Sequence, residues 1–223
     1  MTAEEGSARD EVLARVRAAL ATPGTHHPRT DVPLTVARPE GVPVPSAHAS
    51  LLDLLVDRVE DYRARVVRCA PGGLADALRA ALEGAESVVV PAGFDGDLLD
   101  LAGPRRVDES SLGEVHDVEG IAAVVSTATT AIAETGTIVL DHGPGQGRRG
   151  LTLLPDLHVC VVRSDQVVAT VPEAVAALRP SIDQRRPLTW VSGPSATSDI
   201  ELDRVEGVHG PRTLCVLLVD VAS

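Results

Sequence analysis

The sequence of 223 residues contains no lysine and no asparagine. Without lysine, the chain has neither a Schiff-base nucleophile nor the phosphate-binding lysine of a P-loop. Without asparagine, it has no acceptor for N-glycosylation. Aromatic residues are almost as scarce, with one Phe, one Trp and one Tyr. Val, Leu, Ile and Ala must therefore fill the core, and this composition is typical of an α/β domain.

Positive charge is also in short supply, with 20 basic residues against 32 acidic ones and a net charge of -12. Such a charge repels nucleic-acid phosphates and anionic lipid surfaces, and no strong basic patch reverses it locally. The N-terminus is acidic, and no apolar run of ~18 residues occurs, so neither a signal peptide nor a membrane span is predicted. We expect a cytoplasmic protein that binds no nucleic acid and no membrane.

The three cysteines, Cys69, Cys160 and Cys215, lie far apart, and no two of them form a CxxC pair. This spacing excludes a zinc ribbon and an iron-sulfur cluster held by neighbouring cysteines, and it favours a reducing compartment. The seven histidines show neither HxH nor HExxH spacing. We therefore predict no metal site and no resident cofactor.

The N-terminal region differs in composition from the rest of the chain. Apolar residues at three- and four-residue spacing predict an amphipathic helix over residues 8–20. Six prolines between residues 21 and 45 predict an extended linker. We therefore divide the chain into an N-terminal helix with a proline-rich linker, residues 1–45, and one main domain, residues 46–223.

Helix and strand patterns alternate along the main domain. Ser46 is predicted to cap a helix that ends near Tyr62, and a second helix is predicted to begin at residues 71–73 and to end before Gly84. A third helix is predicted over residues 172–178. Strands are predicted at residues 65–69, 87–91, 120–126, 131–140, 157–163, 188–192 and 212–221. This alternation predicts a three-layer α/β domain with a mostly parallel sheet.

Open α/β sheets bind ligands where loops follow strands, so polar residues in such loops are candidates for function. The first group is Glu134, Thr135, Gly136 and Thr137, which interrupts two apolar runs. Glu134 is a candidate for proton transfer or nucleophilic attack, and the other three are candidates for ligand contact. A hairpin turn would explain the same residues without any ligand.

The second group is the glycine-rich loop 143–150, which matches neither a Walker nor a dinucleotide-binding motif. Its paired arginines, Arg148 and Arg149, have the planar donor geometry that grips a carboxylate or a phosphate. A flexible surface loop has a similar composition.

The third group lies within residues 192–201 and offers hydroxyl groups and carboxylates after a predicted strand. Its candidate ligand contacts are Gly193, Ser195, Thr197 and Glu201, and its candidate catalytic carboxylate is Asp199. An anion or the edge of a ligand would suit this segment. An ordinary helix cap would account for it equally well.

The fourth group, residues 207–212, precedes the last predicted strand. His209, which Gly210 and Pro211 follow, is a candidate general acid or base. Gly210 is a candidate ligand contact, and Arg212 is a candidate anion partner. A histidine that only bonds a neighbouring loop is the alternative. Ser195, Asp199 and His209 have the residue types of a hydrolase triad, but the absence of a GxSxG elbow disfavours one.

These motifs resemble, in order and spacing, the C component of the lactate-utilisation proteins, which has a LUD-type domain. The resemblance covers roughly the last hundred residues. It rests on residues 131–137 (AIAETGT), 154–155, 158–159, 193–195, 197, 199–201 and 207–212. It implies a Rossmann-like fold similar to that of sugar-phosphate isomerases, formyl-tetrahydrofolate cyclo-ligases and coenzyme A transferases.

The resemblance implies a role in the oxidation of L-lactate to pyruvate, together with partner proteins that carry iron-sulfur clusters. This chain has no cluster-binding cysteine pattern, which agrees with clusters that are carried by the partner proteins. The chain departs from the family at Ala196 and Ser198, where Arg and Ala are usual, so one potential carboxylate clamp is missing.

Two alternatives stay open at the level of sequence. One is an independent acyl or coenzyme A transferase, or a cyclo-ligase, with Glu134 as its nucleophile. The other is a non-catalytic module that binds a small carboxylate or another anion. Fold similarity alone does not decide among these functions.

Overall fold

The computed structural model describes residues 8–21, 47–99, 103–113, 115–118, 120–197, 205–206 and 210–221. The chain divides into two compact units, residues 1–36 and 37–223. Helix α1, Ala8–Ala21, forms where the sequence predicts a helix. The predicted linker lies outside the described residues, so the boundary at residues 45 and 46 stays a prediction. Of the helices in the described residues, none is long and apolar enough to cross a bilayer.

The second unit contains helices and strands in alternation, numbered along the chain. The helices are α2 (His48–Asp61), α3 (Leu74–Ala81), α4 (Val171–Ala177) and α5 (Arg179–Asp183). The strands are β1 (Arg65–Cys69), β2 (Ser87–Val90), β3 (Arg105–Asp108), β4 (Ala123–Thr127), β5 (Thr130–Ile132), β6 (Thr137–Leu140), β7 (Leu157–Arg163), β8 (Val167–Val168), β9 (Thr189–Val191), β10 (Ala196–Thr197), β11 (Val205–Glu206) and β12 (Thr213–Val219).

The main sheet has six strands in the order β1-β12-β7-β4-β2-β3. All of its neighbouring pairs run parallel. The predicted α/β fold with a mostly parallel sheet is therefore confirmed. Strand β3 was not predicted, because only Val107 of its four residues is buried and the apolar pattern is correspondingly short.

Both faces of the main sheet are covered, because alternate residues of a strand point to opposite sides. On β7, Val159 and Val161 pack in the core cluster that contains α3. Cys160 and Val162 pack in the cluster that contains α2. The near-continuous apolar runs of β7 and β12 are explained by this double burial.

A second, four-stranded sheet has the order β8-β5-β6-β9 and was not predicted. Strands β5 and β6 are antiparallel, and residues 133–136 form the turn between them. The prediction of one strand over residues 131–140 is therefore wrong, because Gly136 has a φ of 61° and reverses the chain. One side of this sheet packs on α2 and the other on α4.

Helix α2 packs against both sheets, and its first residues differ from the prediction. Ala47 occupies the N-cap position without a side-chain hydrogen bond, and Ser46 lies outside the described residues. At the other end of the helix, a Cβ on Gly136 would lie 2.7 Å from the carbonyl carbon of Arg58. The turn after β5 can therefore approach the helix backbone only because residue 136 is glycine.

We expect the substitution Gly136→Ala to lower the free energy of unfolding by about 2 kcal/mol or more, because the new methyl group meets backbone at a positive φ. Gly72→Ala is the matched control, since a Cβ at Gly72 meets nothing within 4 Å. Urea unfolding of the two variants measures the difference. Equal stability of both variants would show that the turn and α2 do not pack this closely.

Candidate functional site

Three of the four polar segments meet near the amino ends of β7 and β12. The backbone N–H of Ser195 donates to the carbonyl oxygen of Pro211 over 2.8 Å. The hydroxyl oxygens of Thr137 and Ser192 lie 2.8 Å apart. These loops therefore meet at the amino edge of the parallel strands, whereas the general rule for open sheets pointed to the carboxyl edge.

A cavity of about 160 Å³ lies between these loops. We call it the histidine pocket, and the lining residues used below are Thr152, His158, Thr189, Trp190, Ser192 and Ser195. A ligand with a few non-hydrogen atoms fits such a space.

His158 is the one ionisable side chain among the described lining residues of this pocket. Its Nε2 lies 2.7 Å from the hydroxyl oxygen of Ser126. Complete burial lowers the pKa of His158 to about 4, so the imidazole is neutral at pH 7. A neutral imidazole carries one donor and one acceptor nitrogen, so it can serve a ligand in either role.

Sequence reasoning missed the pairing of His158 with Ser126. A single histidine inside a strand shows no spacing pattern, and its partner is 32 residues away. The two side chains meet because β4 and β7 pair in parallel, with Val124 opposite His158. Only the strand register reveals this contact.

Glu134 lies in the turn after β5, and its Oε1 accepts a hydrogen bond of 3.0 Å from the backbone N–H of Val171. Val171 is the first residue of α4, where a carboxylate satisfies an otherwise unpaired N–H group. The hydroxyl of Thr135 donates to that of Thr137 over 2.8 Å. These contacts are those of a hairpin turn, and contact of these residues with a ligand stays a prediction.

Several predicted site residues lie outside the described part of the chain. They are Asp199, Glu201, His209 and the side chain of Thr197. Gly193 and Gly210 both border the histidine pocket. Arg212 is exposed, and its Nε lies 3.6 Å from Asp156, a surface pair of small energetic value. The role of Arg212 as an anion partner stays a prediction.

A second, wider cavity of about 840 Å³ lies at the carboxyl ends of β2 and β3. We call it the arginine cleft, and the lining residues used below are Gly93, Glu109, His142, Arg148, Arg149 and Arg186. The guanidinium of Arg148 donates to the carbonyl oxygens of Leu112 and Gly113, over 2.8 and 3.0 Å. Of the two predicted arginines, Arg148 is therefore bound to the backbone and Arg149 is exposed.

Asp141 lies beside this cleft and is only 6% exposed. Its Oδ2 accepts hydrogen bonds from the hydroxyl of Ser181 over 2.6 Å and from Arg186 over 3.0 Å. Burial alone would raise the pKa of Asp141, but the hydrogen bonds from Ser181, Gly143 and Thr129 and the charge of Arg186 hold it below its usual value. The carboxylate is therefore charged at pH 7. Across the described residues, no three His, Cys, Asp or Glu side chains are placed to hold a metal ion.

Comparisons with known proteins agree with the predicted resemblance. A family model for the LUD domain matches residues 99–219. The chain is 48% identical over 181 residues to "Lactate utilization protein C" of Deinococcus radiodurans. That match covers 81% of this chain and 85% of the Deinococcus protein. The chain is 32% identical over 119 residues to a protein of the same name from Shouchella clausii, which covers 52% of this chain and 48% of that protein.

A solved structure shares the fold. It is the crystal structure of a DUF162 family protein from Deinococcus radiodurans, with a TM-score of 0.69 and 40% sequence identity. The match covers 78% of this chain and 99% of that chain. The α/β architecture described above is thus found in a solved relative.

We expect the stability of the protein to fall as the pH drops from 6.5 toward 4, because His158 stays neutral in the folded state. The unfolded chain binds a proton at this histidine in that interval and the folded chain does not, which costs about 3 kcal/mol of stability. Above pH 6.5 the effect is absent. Urea unfolding at pH 7 and pH 4.5 measures the loss.

His158→Gln should remove most of that loss, whatever its effect on stability at pH 7. His48→Gln, at an exposed position in α2, is the control and should keep it. A pH dependence that is the same in both variants would refute the assignment to His158.

Proposed function

Because this chain belongs to the LUD domain family, we propose that it serves in lactate utilisation, in a system that oxidises L-lactate to pyruvate with iron-sulfur partner proteins. The observation that carries the proposal is the 48% identity to a protein named Lactate utilization protein C, over 85% of that protein's length. The oxidation breaks the C2–H and O–H bonds of L-lactate and forms the C=O bond of pyruvate. It releases two electrons and two protons, so the reaction requires an electron acceptor.

The cysteines of the chain favour an acceptor on another protein. Cys160 and Cys215 are buried in core clusters on opposite faces of the main sheet, and Cys69 ends β1. Iron-sulfur clusters are commonly held by four cysteine thiolates, and the whole sequence has three cysteines. In the proposal, the two electrons therefore pass to clusters on the partner proteins.

We assign the small 2-hydroxycarboxylate to the histidine pocket. Hydroxyl groups of Thr152, Thr189 and Ser192 border it, and a hydroxyl can donate one hydrogen bond and accept two. The hydroxyls of Thr152 and Thr189 are already bonded to the carbonyl oxygen of Arg149 and to Nε2 of His142, so Ser192 is the hydroxyl that we assign as donor to the carboxylate. The neutral imidazole of His158 offers a partner to the ligand's hydroxyl. The pocket volume of about 160 Å³ suits a molecule of this size.

The predicted catalytic residues Asp199 and His209 belong to this proposal. The segment 198–209 that carries them lies outside the described residues, except for Val205 and Glu206. Ser195 and Gly210, just outside that segment on either side, border the histidine pocket. We therefore propose that Asp199 and His209 face the same ligand.

The alternative of an independent acyl or coenzyme A transferase is less well supported. Its nucleophile would be Glu134, and a carboxylate that attacks an acyl group must have a free oxygen at an open cavity. Oε1 of Glu134 accepts a hydrogen bond from the N–H of Val171, and Glu134 borders neither the histidine pocket nor the arginine cleft. This contact favours a structural role for Glu134.

We expect L-lactate and pyruvate to change the fluorescence of Trp190, the only tryptophan of the chain, because it borders the histidine pocket. Ser192→Leu should weaken binding at least about tenfold, since added bulk fills a small pocket. Ser110→Leu, at an exposed serine elsewhere, is the control. Equal affinities of the two variants for L-lactate would show that L-lactate does not bind in this pocket.

Mixing the chain with candidate iron-sulfur partner proteins should raise the rate of L-lactate-dependent dye reduction. The Ser192→Leu variant should give little of that increase, and Ser110→Leu should give all of it. No increase on mixing the wild-type chain would contradict a role in the oxidation. Binding of L-lactate without any increase would instead identify a small-anion-binding module.

A further inference from the structure

The order in which strands are added to the main sheet changes direction around β2. Strand β3 is added on one side of β2, and β4 is then added on the other side, followed by β7 and β12. Phe94 and Leu98, in the connection after β2, pack in the core cluster of α3. The β5–β6 hairpin, in the connection after β4, packs in the cluster of α2 on the opposite face.

Connections that leave two adjacent strands toward opposite faces open a crevice at the carboxyl ends of those strands. Ligands of open α/β sheets bind in that crevice. The arginine cleft borders this position on the side of β2, because Gly93 follows β2. A neighbouring cavity that shares Asp141 and Arg186 with the cleft extends to Thr127, at the end of β4.

The carboxylates at the cleft already have partners. The two oxygens of Glu109 accept hydrogen bonds from the backbone N–H groups of Ala92 and Arg148, over 3.1 and 3.0 Å. Asp141 accepts hydrogen bonds from Ser181, from the Gly143 N–H and from Nη1 of Arg186. These carboxylates are therefore held by protein donors.

The cations of the cleft retain donor capacity. Arg149 has neither a hydrogen bond nor an ion pair from its side chain within the described part of the chain. The ion pair of Arg186 with Asp141 uses Nη1 alone, although a guanidinium carries five N–H donors. A net charge of -12 repels anions from most of the surface, so two arginines with spare donors at a crevice mark a local exception.

We propose that the arginine cleft is a second ligand site, which binds the phosphate group of an organic phosphate through Arg149 and Arg186. Arginine pairs strongly with phosphate oxygens, and two guanidinium groups on different loops reach different oxygens of one group. The volume of about 840 Å³ is of the size that holds an organic cofactor or metabolite, and it greatly exceeds the needs of lactate. This site lies at the other edge of the sheet from the histidine pocket and does not depend on the lactate proposal.

Titration calorimetry of the full chain with inorganic pyrophosphate tests the proposal. Pyrophosphate should bind, and Arg149→Ala should weaken binding at least about tenfold, because charge-assisted hydrogen bonds are lost. Arg186→Lys should also weaken it, since it keeps the charge and loses the planar fork. Arg105→Ala is the matched control, because it removes the same charge from an exposed residue at the amino end of β3.

Three results would overturn the proposal. The first is the absence of pyrophosphate binding to the wild-type chain, and the second is an equal loss of affinity in Arg105→Ala, which would reveal a response to net charge alone. The third is tighter binding of succinate than of pyrophosphate with the same dependence on Arg149, which would identify a carboxylate site. Circular dichroism confirms in each case that the variant is folded.

Discussion

The burial of helix α2 between the two sheets is the packing interaction on which the other features depend. Leu52, Leu55 and Val59 of this helix are at most 4% exposed, and full burial of each such side chain contributes about 2 kcal/mol. The end of α2 also fixes the loops of the histidine pocket. A Cβ on Gly193, which borders that pocket, would lie 2.6 Å from the Cβ of Tyr62. A shift of the helix would therefore move the pocket wall.

A second constraint joins the two cavities. His142 borders the arginine cleft, and its Nδ1 donates to the carbonyl oxygen of Gly147 over 2.8 Å. Its Nε2 lies 2.8 Å from the hydroxyl of Thr189, which borders the histidine pocket. Gln146 holds the same loop from inside, since its Oε1 accepts the N–H groups of Asp141 and His142. Because satisfied buried networks are rigid, both cavities have a wall of fixed shape.

The predictable part of the fold is the part that is buried on both sides. The predicted limits of β7, residues 157–163, coincide with the strand, and β12 lies within the predicted 212–221. Short apolar runs of this length, rich in Val and Leu, favour a strand covered on both faces. Strand β9 lies within the predicted 188–192 and most of β5 and β6 within the predicted 131–140, but the two-residue β8 is too short for a period-two pattern to stand out, and the sequence did not show that these strands form a separate sheet. Its strands are defined by partners distant in sequence.

The residues of the candidate site also fall into a predictable and an unpredictable group. Loop composition pointed to Gly193, Ser195 and Gly210, which border the histidine pocket, because glycine and serine next to a strand are themselves a signal; their contact with a ligand stays a prediction. It could not identify Ser126 with His158, whose single residues look ordinary within apolar strands. Burial of polar groups is costly unless they are hydrogen-bonded, and the hydrogen bond of 2.7 Å offsets that cost for both side chains. The pair can be found only after the register of β4 and β7 is known, and it places an imidazole, rather than the loop carboxylate Glu134, at the wall of the histidine pocket.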